Sequence, residues 1–176
     1  MAENLNVDRF LNGDEIPEAR TAEEWKRAYD NKQPAWCYYE NDPANGAIYG
    51  KLYNWYAVND PRGLAPEGWH VATDGEWTML SDGLGGPKVA GGKMKSTIGW
   101  TDNGNGTNVS RFSGGPGGYR LNSGTFLFRG SDGLWWSASS SATGEAWSRA
   151  LFRSVDEVDR YNYPKGGGFS VRCLRD

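Results

Sequence analysis

The 176 residues predict an α+β fold of two helices, short antiparallel strands and long irregular glycine-rich loops. Three observations carry that expectation. Two capping-box patterns, Thr21 with Glu24 and Thr73 with Glu76, each precede apolar residues at helical spacing. The second half of the chain holds short segments with strand-like alternation, separated by turn formers. Nine Trp, nine Tyr, six Phe and 25 Gly, at a mean hydropathy of −0.71, describe a loop-rich protein whose core is built from large flat side chains.

Taken in order, residues 1–20 give no clear pattern. Thr21 caps a helix reaching about Tyr29, with Trp25, Ala28 and Tyr29 at helical spacing, and Pro34 prevents its continuation. Trp36 to Tyr39 reads as a short aromatic strand, and Asn41 to Gly46 as a turn. Tyr49 to Val58 reads as an aromatic strand or extended run entering a second turn at Asn59 to Gly63. A second helix is expected from about Asp74 to Leu84, with Trp77, Leu80 and Leu84 on one face and a stop at Gly85-Gly86. Residues 85–120 read as irregular. Strands are expected at Gly118 to Asn122, Phe126 to Arg129 and Trp135 to Ser137, with Ser131 to Gly133 as a hairpin turn. Ala146 to Phe152 alternates, with Trp147, Arg149 and Leu151 on one face and Ser148, Ala150 and Phe152 on the other. Glu157 to Tyr161 follows, then a turn at Pro164 to Gly168. A closing strand, Phe169 to Cys173, places Phe169, Val171 and Cys173 together.

The length fits one domain over residues 1–176. A net charge of −3 and a pI near 5.3 argue against a nucleic-acid partner, which selects a clustered basic surface. No stretch approaches the ~18 apolar residues of a membrane span, so no membrane insertion is expected. Met1 to Asn4 opens acidic and polar, without a signal-peptide pattern. Cys37 and Cys173 are not a disulfide framework; two unrelated buried thiols are expected, with a single bridge as the alternative.

Several strings resemble a known family. They are Tyr49-Gly-Lys-Leu-Tyr-Asn-Trp-Tyr-Ala-Val58, Gly68-Trp-His-Val71 with Asp74-Gly-Glu-Trp77, Gly117-Gly-Tyr-Arg120, Trp135-Trp-Ser137, Ala146-Trp-Ser-Arg149 and Gly168-Phe-Ser-Val-Arg-Cys173. In order and spacing they are similar to the Fibrobacter succinogenes major paralogous domain family, over nearly the whole chain. The resemblance implies a C-type-lectin-like fold. The C-terminal region 135–173 further resembles the variable region of proteins diversified by retroelements in bacteria and phages. There, adenine-directed mutagenesis rewrites codons for an outward-facing binding site on a fixed scaffold.

By that resemblance the fixed set is Trp135, Trp136, Ser137, Trp147, Arg149, Leu151, Val158, Arg160, Lys165, Gly168, Phe169, Val171, Arg172 and Cys173. The interleaved positions are Ser139, Ala142, Thr143, Glu145, Ser148, Ala150, Phe152, Ser154, Asp156, Glu157, Asp159, Tyr161, Asn162, Tyr163, Gly166 and Gly167. The expected ligand contacts are Glu145, Ser148, Ala150, Phe152, Ser154, Asp156, Glu157, Asp159, Tyr161, Asn162 and Tyr163. Phe152, Tyr161 and Tyr163 would anchor an interface, and Asp156, Glu157 and Asp159 would set its charge preference. The implied function is recognition of a protein or cell-surface ligand, at a cell or phage surface or outside the cell. The family's domains already run where this chain begins, which leaves room for an upstream strand or leader. A non-diversified adhesive module of a paralogous lipoprotein family is the alternative.

No catalysis is expected. His70, the single histidine, has no partner for a triad or a histidine metal site and reads as packing beside Trp69. Formylglycine-generating oxidases share the broader fold and depend on a reactive cysteine pair. Neither Cys37 nor Cys173 has the basic, exposed setting that lowers a thiol pKa. No cofactor is expected. Structural calcium stays open, through Asp102, Asn103, Asn105 and Asn108 or through Asp156, Glu157 and Asp159, although turn-forming and solvated roles are the commoner explanation for both groups.

Overall fold

The computed structural model describes residues 3–176. Both anticipated helices form where their caps place them. Helix α1 spans Ala22–Asp30; Thr21 Oγ1 accepts from the Glu24 amide at 3.1 Å while the Glu24 carboxylate accepts from the Thr21 amide at 2.9 Å. Trp25 and Ala28 form its buried face, and the Trp25 indole donates to the Gly166 carbonyl at 2.9 Å. Strand β1 (Trp36–Cys37) follows α1.

Three further helices occupy segments whose residue types read as turn, strand or loop. Helix α2 (Pro43–Tyr49) starts within the expected turn: Asp42 accepts from the Ala44 amide and Pro43 takes the first helical position. Asn, Asp and Pro suit turns, and they suit helix starts equally. The expected strand of residues 49–58 shrinks to β2 (Leu52–Tyr53), because Asn54 caps the single-turn helix α3 (Trp55–Val58). Strand β3 (Trp69–Val71) leads into α4 (Asp74–Gly83), which Thr73 and Glu76 cap as expected. Helix α5 (Pro87–Met94) lies in the stretch read as irregular. Its Gly91 leaves room for the backbone of Asp156 and Glu157 and its Gly92 for the Asp156 carboxylate, and both amides donate to the Asp156 carbonyl, Gly91 at 2.9 Å.

Strands β4 (Tyr119–Arg120) and β5 (Phe126–Leu127) pair with each other. Strands β6 (Asp132–Ser140), β7 (Glu145–Phe152) and β8 (Val158–Pro164) form an antiparallel meander with β7 in the middle. Residues 131–133 are therefore not a hairpin turn, since β6 begins at Asp132. Strand β9 (Cys173–Arg175) pairs with β3. Between β8 and β9, the segment 168–170 joins the pieces. Phe169 exchanges backbone hydrogen bonds with Tyr53 at 2.9 and 3.1 Å, Gly168 with Arg120 at 2.7 and 2.9 Å, and Ser170 bonds to Leu134 and Trp136 at 3.0 Å each.

The register sorts the three-stranded sheet into two faces. One carries Leu134, Trp136, Ala146, Ser148, Ala150, Phe152, Asp159, Tyr161 and Tyr163; the other carries Trp135, Trp147, Arg149, Leu151, Val158, Arg160 and Asn162. The first face packs into a cluster with Tyr53, Trp55, Tyr119, Phe169, Val171 and Cys173. The second packs against α4 and α5 through Trp77, Met94, Trp100 and Phe112. A third cluster around α1 contains Trp25, Cys37, Tyr39 and Leu52. Phe169, Val171 and Cys173 do share one cluster, as their spacing predicts.

Trp136 is fully buried, stacks on Phe169 with ring centroids 4.2 Å apart, and donates from its indole to the Tyr53 carbonyl at 2.9 Å. Replacing it with Ala is expected to cost about 3–5 kcal/mol of stability in a denaturant melt. An unchanged midpoint would show that the stack is not part of the core.

Candidate recognition surface

The expected ligand contacts do not form one outward face. Ser148 and Ala150 are each 0% exposed. Both lie inside β7, the middle strand, where packed side chains cover them; alternation was a sound guide to faces but not to exposure. Glu145 and Asn162 project from the opposite face and hydrogen-bond to each other. Ser154, Asp156 and Glu157 occupy the β7–β8 turn. Phe152 and Tyr163 are half-buried against the first core cluster, so neither is the solvent-facing ring expected of it. Tyr161 is 42% exposed.

What the fold does assemble is a row of rings along the first face. Phe152 meets Tyr161 at 6.5 Å, Tyr161 meets Tyr163 at 6.2 Å, Tyr163 meets Tyr119 at 6.5 Å, and Tyr119 meets Phe128 at 5.9 Å. All lie in the range of favourable ring contacts. Tyr163 also packs edge-on against buried Phe169 at 5.1 Å, anchoring the row to the core. Phe128 was not singled out from sequence. It is 54% exposed and follows β5 with a backbone φ of 61°, a region a bulky side chain rarely adopts. Its carbonyl accepts from the Ser131 and Asp132 amides at 3.1 and 3.0 Å, closing the turn into β6.

Carboxylates flank the row. Asp159 accepts a hydrogen bond from the Tyr161 hydroxyl, and Asp132 sits across the sheet from Phe152. Burial raises both carboxyls above their ordinary value, with the Glu157 charge adding to the rise at Asp159.

The turn carrying Ser154, Asp156 and Glu157 is held from behind. Lys95, its side chain 3% exposed at the end of α5, donates to the Phe152 and Val155 carbonyls at 3.3 and 2.9 Å and stands 3.6 Å from the Asp156 carboxylate. With the Gly91 amide on Asp156, this fixes where β8 begins.

On the opposite face, Asp74 at the start of α4 fastens two strands at once. Arg149 of β7 donates to Asp74 Oδ1 at 2.7 Å, and Arg160 of β8 makes a fork to both carboxylate oxygens at 2.9 Å each. The Arg160 guanidinium lies 3.3 Å over the Trp147 ring. Trp147 is thus half-buried beneath an arginine, and Arg160 is exposed, although both belong to the set expected to form the fixed interior. Burial alone would raise the Asp74 carboxyl; the hydrogen bonds from Arg160 and Arg149 outweigh it and hold the group below its ordinary 3.8.

The Fibrobacter succinogenes major domain matches residues 1–175. The chain belongs to that family. No curated relative and no solved structure matches it. The family's six motif strings in this chain map onto α2 to α3, β3 to α4, β4, β6, β7 and the 168–173 segment, so they are largely the strands and helix starts that frame the ring row.

Other candidate chemistry in this family member is occupied structurally. Cys37 and Cys173 lie buried in different clusters, and burial pushes their thiols up to about 12 and about 11. His70 is held by two carboxylates: its Nδ1 meets Asp176 at 2.6 Å and its Nε2 meets Glu76 at 2.8 Å. Asp102 pairs with Arg153 at 3.1 Å, Asn105 accepts from the Trp100 amide at 3.0 Å, and Asn108 bonds to Ser113 at both its amide oxygen and nitrogen. Among the described residues, no three His, Cys, Asp or Glu side chains gather as a metal site, and no helix is long and apolar enough to cross a membrane.

Two pH dependences follow from these pairs. Asp74 has a lowered folded value, so its contribution is present above pH 3.8 and is lost as pH falls through that lower value. Asp74→Asn is expected to cost about 1.5–3 kcal/mol at neutral pH, with the gap to the parent closing in urea melts below pH 3.8. His70 has a raised value, from its hydrogen bonds to Asp176 and then Glu76. Its contribution is full below pH 6.5 and is lost as pH rises through the raised value. The Tm difference between parent and His70→Gln should therefore shrink with rising pH, and a difference that grows would contradict the pairing.

Proposed function

We propose that the protein is a recognition module: a C-type-lectin-like scaffold whose C-terminal strands display a diversified ligand-binding surface, with no reaction of its own. The observation that carries this reading is the match between the two sets of residues in 135–173 and their exposure. Every member of the fixed set is buried except Trp147 and Arg160, and every interleaved position is at least partly exposed except Ser148, Ala150, Gly166 and Gly167. A scaffold whose identity-bearing residues are inside and whose remaining positions reach solvent tolerates rewriting without loss of its core.

The chemistry of the exposed set favours a macromolecular partner. Rigid Tyr and Phe rings beside small polar residues make an adaptable contact surface. Three cavities of about 370, 100 and 460 Å³ open elsewhere, and none is lined by any of the expected contacts. The ring row itself runs along a sheet face, a shape that suits a macromolecular partner. Two buried thiols with raised pKa values offer no nucleophile, which supports the reading without catalysis.

Sequencing this gene across many cells of one population tests the proposal. Codon changes traceable to template adenines, concentrated at exposed positions such as 142, 143, 154, 156, 161 and 162, are expected. A uniform C-terminus would sink diversification in favour of a fixed adhesive module.

A further inference from the structure

Resting on the recognition reading, we infer that the ring row from Phe152 through Tyr161, Tyr163 and Tyr119 to Phe128, with Asp132 and Asp159 beside it, takes an arginine-bearing segment of a protein partner.

Charge complementarity is the first argument. The faces of aromatic rings carry negative charge density and attract cations, and the flanking groups on this face are Asp132 and Asp159, with the charge of Glu157 in the adjoining turn reaching Asp159. Arg153, whose field reaches Asp132, is itself held by Asp102 at 3.1 Å. The carboxylates are half-buried among rings, where opposite charge is worth more than in open solvent.

The second argument is that this chain already binds its own arginines in the same way. Arg160 lies 3.3 Å over Trp147 while Asp74 takes its fork at 2.9 Å. Arg62 lies 4.1 Å over Phe10 while Asp60 accepts from its Nε and Nη2 at 2.8 and 2.9 Å. Ring plus carboxylate is thus a seat for guanidinium in two places, filled from within. The row on the first face offers rings and carboxylates, and among the described residues no guanidinium lies over Tyr119, Phe128, Phe152, Tyr161 or Tyr163. Arginine fits better than lysine because its planar group both stacks on a ring and forks to a carboxylate.

Phe128 is the third argument. The turn needs a residue at positive φ, which Gly or Asn supplies without strain. A phenylalanine there, 54% exposed and in ring contact with Tyr119, is accounted for by what its side chain presents.

The test titrates the full chain with three synthetic octapeptides, Gly-Arg, Gly-Glu and Gly-Gln repeats, by calorimetry. Saturable binding of the arginine peptide alone is expected. It should weaken about tenfold or more in Tyr161→Ala and in the Asp132→Asn, Asp159→Asn double variant, each checked for a parent-like melt. Equal binding of the glutamate or glutamine peptide, or no binding of the arginine peptide, overturns the inference. Loss in Tyr161→Ala with full retention in the double carboxylate variant also overturns the cationic class while leaving the surface as a recognition site. The diversification reading fails separately, on the population sequencing above.

Discussion

The short segment 168–170 ties the molecule together, because its backbone pairs on three sides at once. It bonds to Tyr53 of β2, to Arg120 of β4, and to Leu134 and Trp136 of β6. Without it, those strands belong to separate two- and three-stranded pieces, too small to be stable alone. Phe169 stacks on Trp136 from the same segment, so backbone pairing and ring packing are set together. The approach is close: Gly168 has the Trp25 ring within 2.8 Å of where a Cβ would stand. Since β8 ends four residues earlier, the strand that carries Tyr161 and Tyr163 is fastened to the centre of the core at its far end.

From that anchor the recognition surface follows. The other end of β8 is set by Lys95 and the Gly91 amide, and its middle by the fork from Arg160 to Asp74. The ion pairs to Asp74 lie on the face turned away from the ring row, while the row's own face packs into the first core cluster. Tyr161 is thereby left open to solvent on a strand that is held at both ends. Binding surfaces on rigid elements hold their geometry better than surfaces on free loops, and here the loop 153–157 is made rigid by α5.

The same arrangement explains the buried charges. Lys95, Arg120, Arg149 and Arg172 are all nearly inaccessible, and each satisfies carbonyls or a carboxylate that short, irregular elements leave unpaired. Arg120 bonds to the carbonyls of Ala19, Arg20, Thr21 and Gly124 and lies between the Trp25 and Phe126 rings. In a loop-rich protein with few long ladders, guanidinium groups supply the donors that regular secondary structure would otherwise supply.

Local signals decided a good deal of this by themselves. The capping boxes at Thr21 and Thr73 placed α1 and α4 within a residue, because a cap is a contact between neighbours in sequence. Alternation in 146–152 assigned side chains to faces, and the spacing of Phe169, Val171 and Cys173 placed them together in the core. The motif strings sufficed for the family. Tertiary structure alone decided the rest. Helices α2 and α5 use Asn, Asp, Pro and Gly, whose local preferences do not separate a turn from a helix start; glycines in α5 are explained only by the β7–β8 turn pressed against them. Whether Ser148 and Ala150 reach solvent depends on β7 being the middle strand, and strand order is not encoded in any one strand. Asp132, Tyr119 and Phe128 join Tyr161 only through register and a turn at positive φ, which bring together residues far apart in the chain.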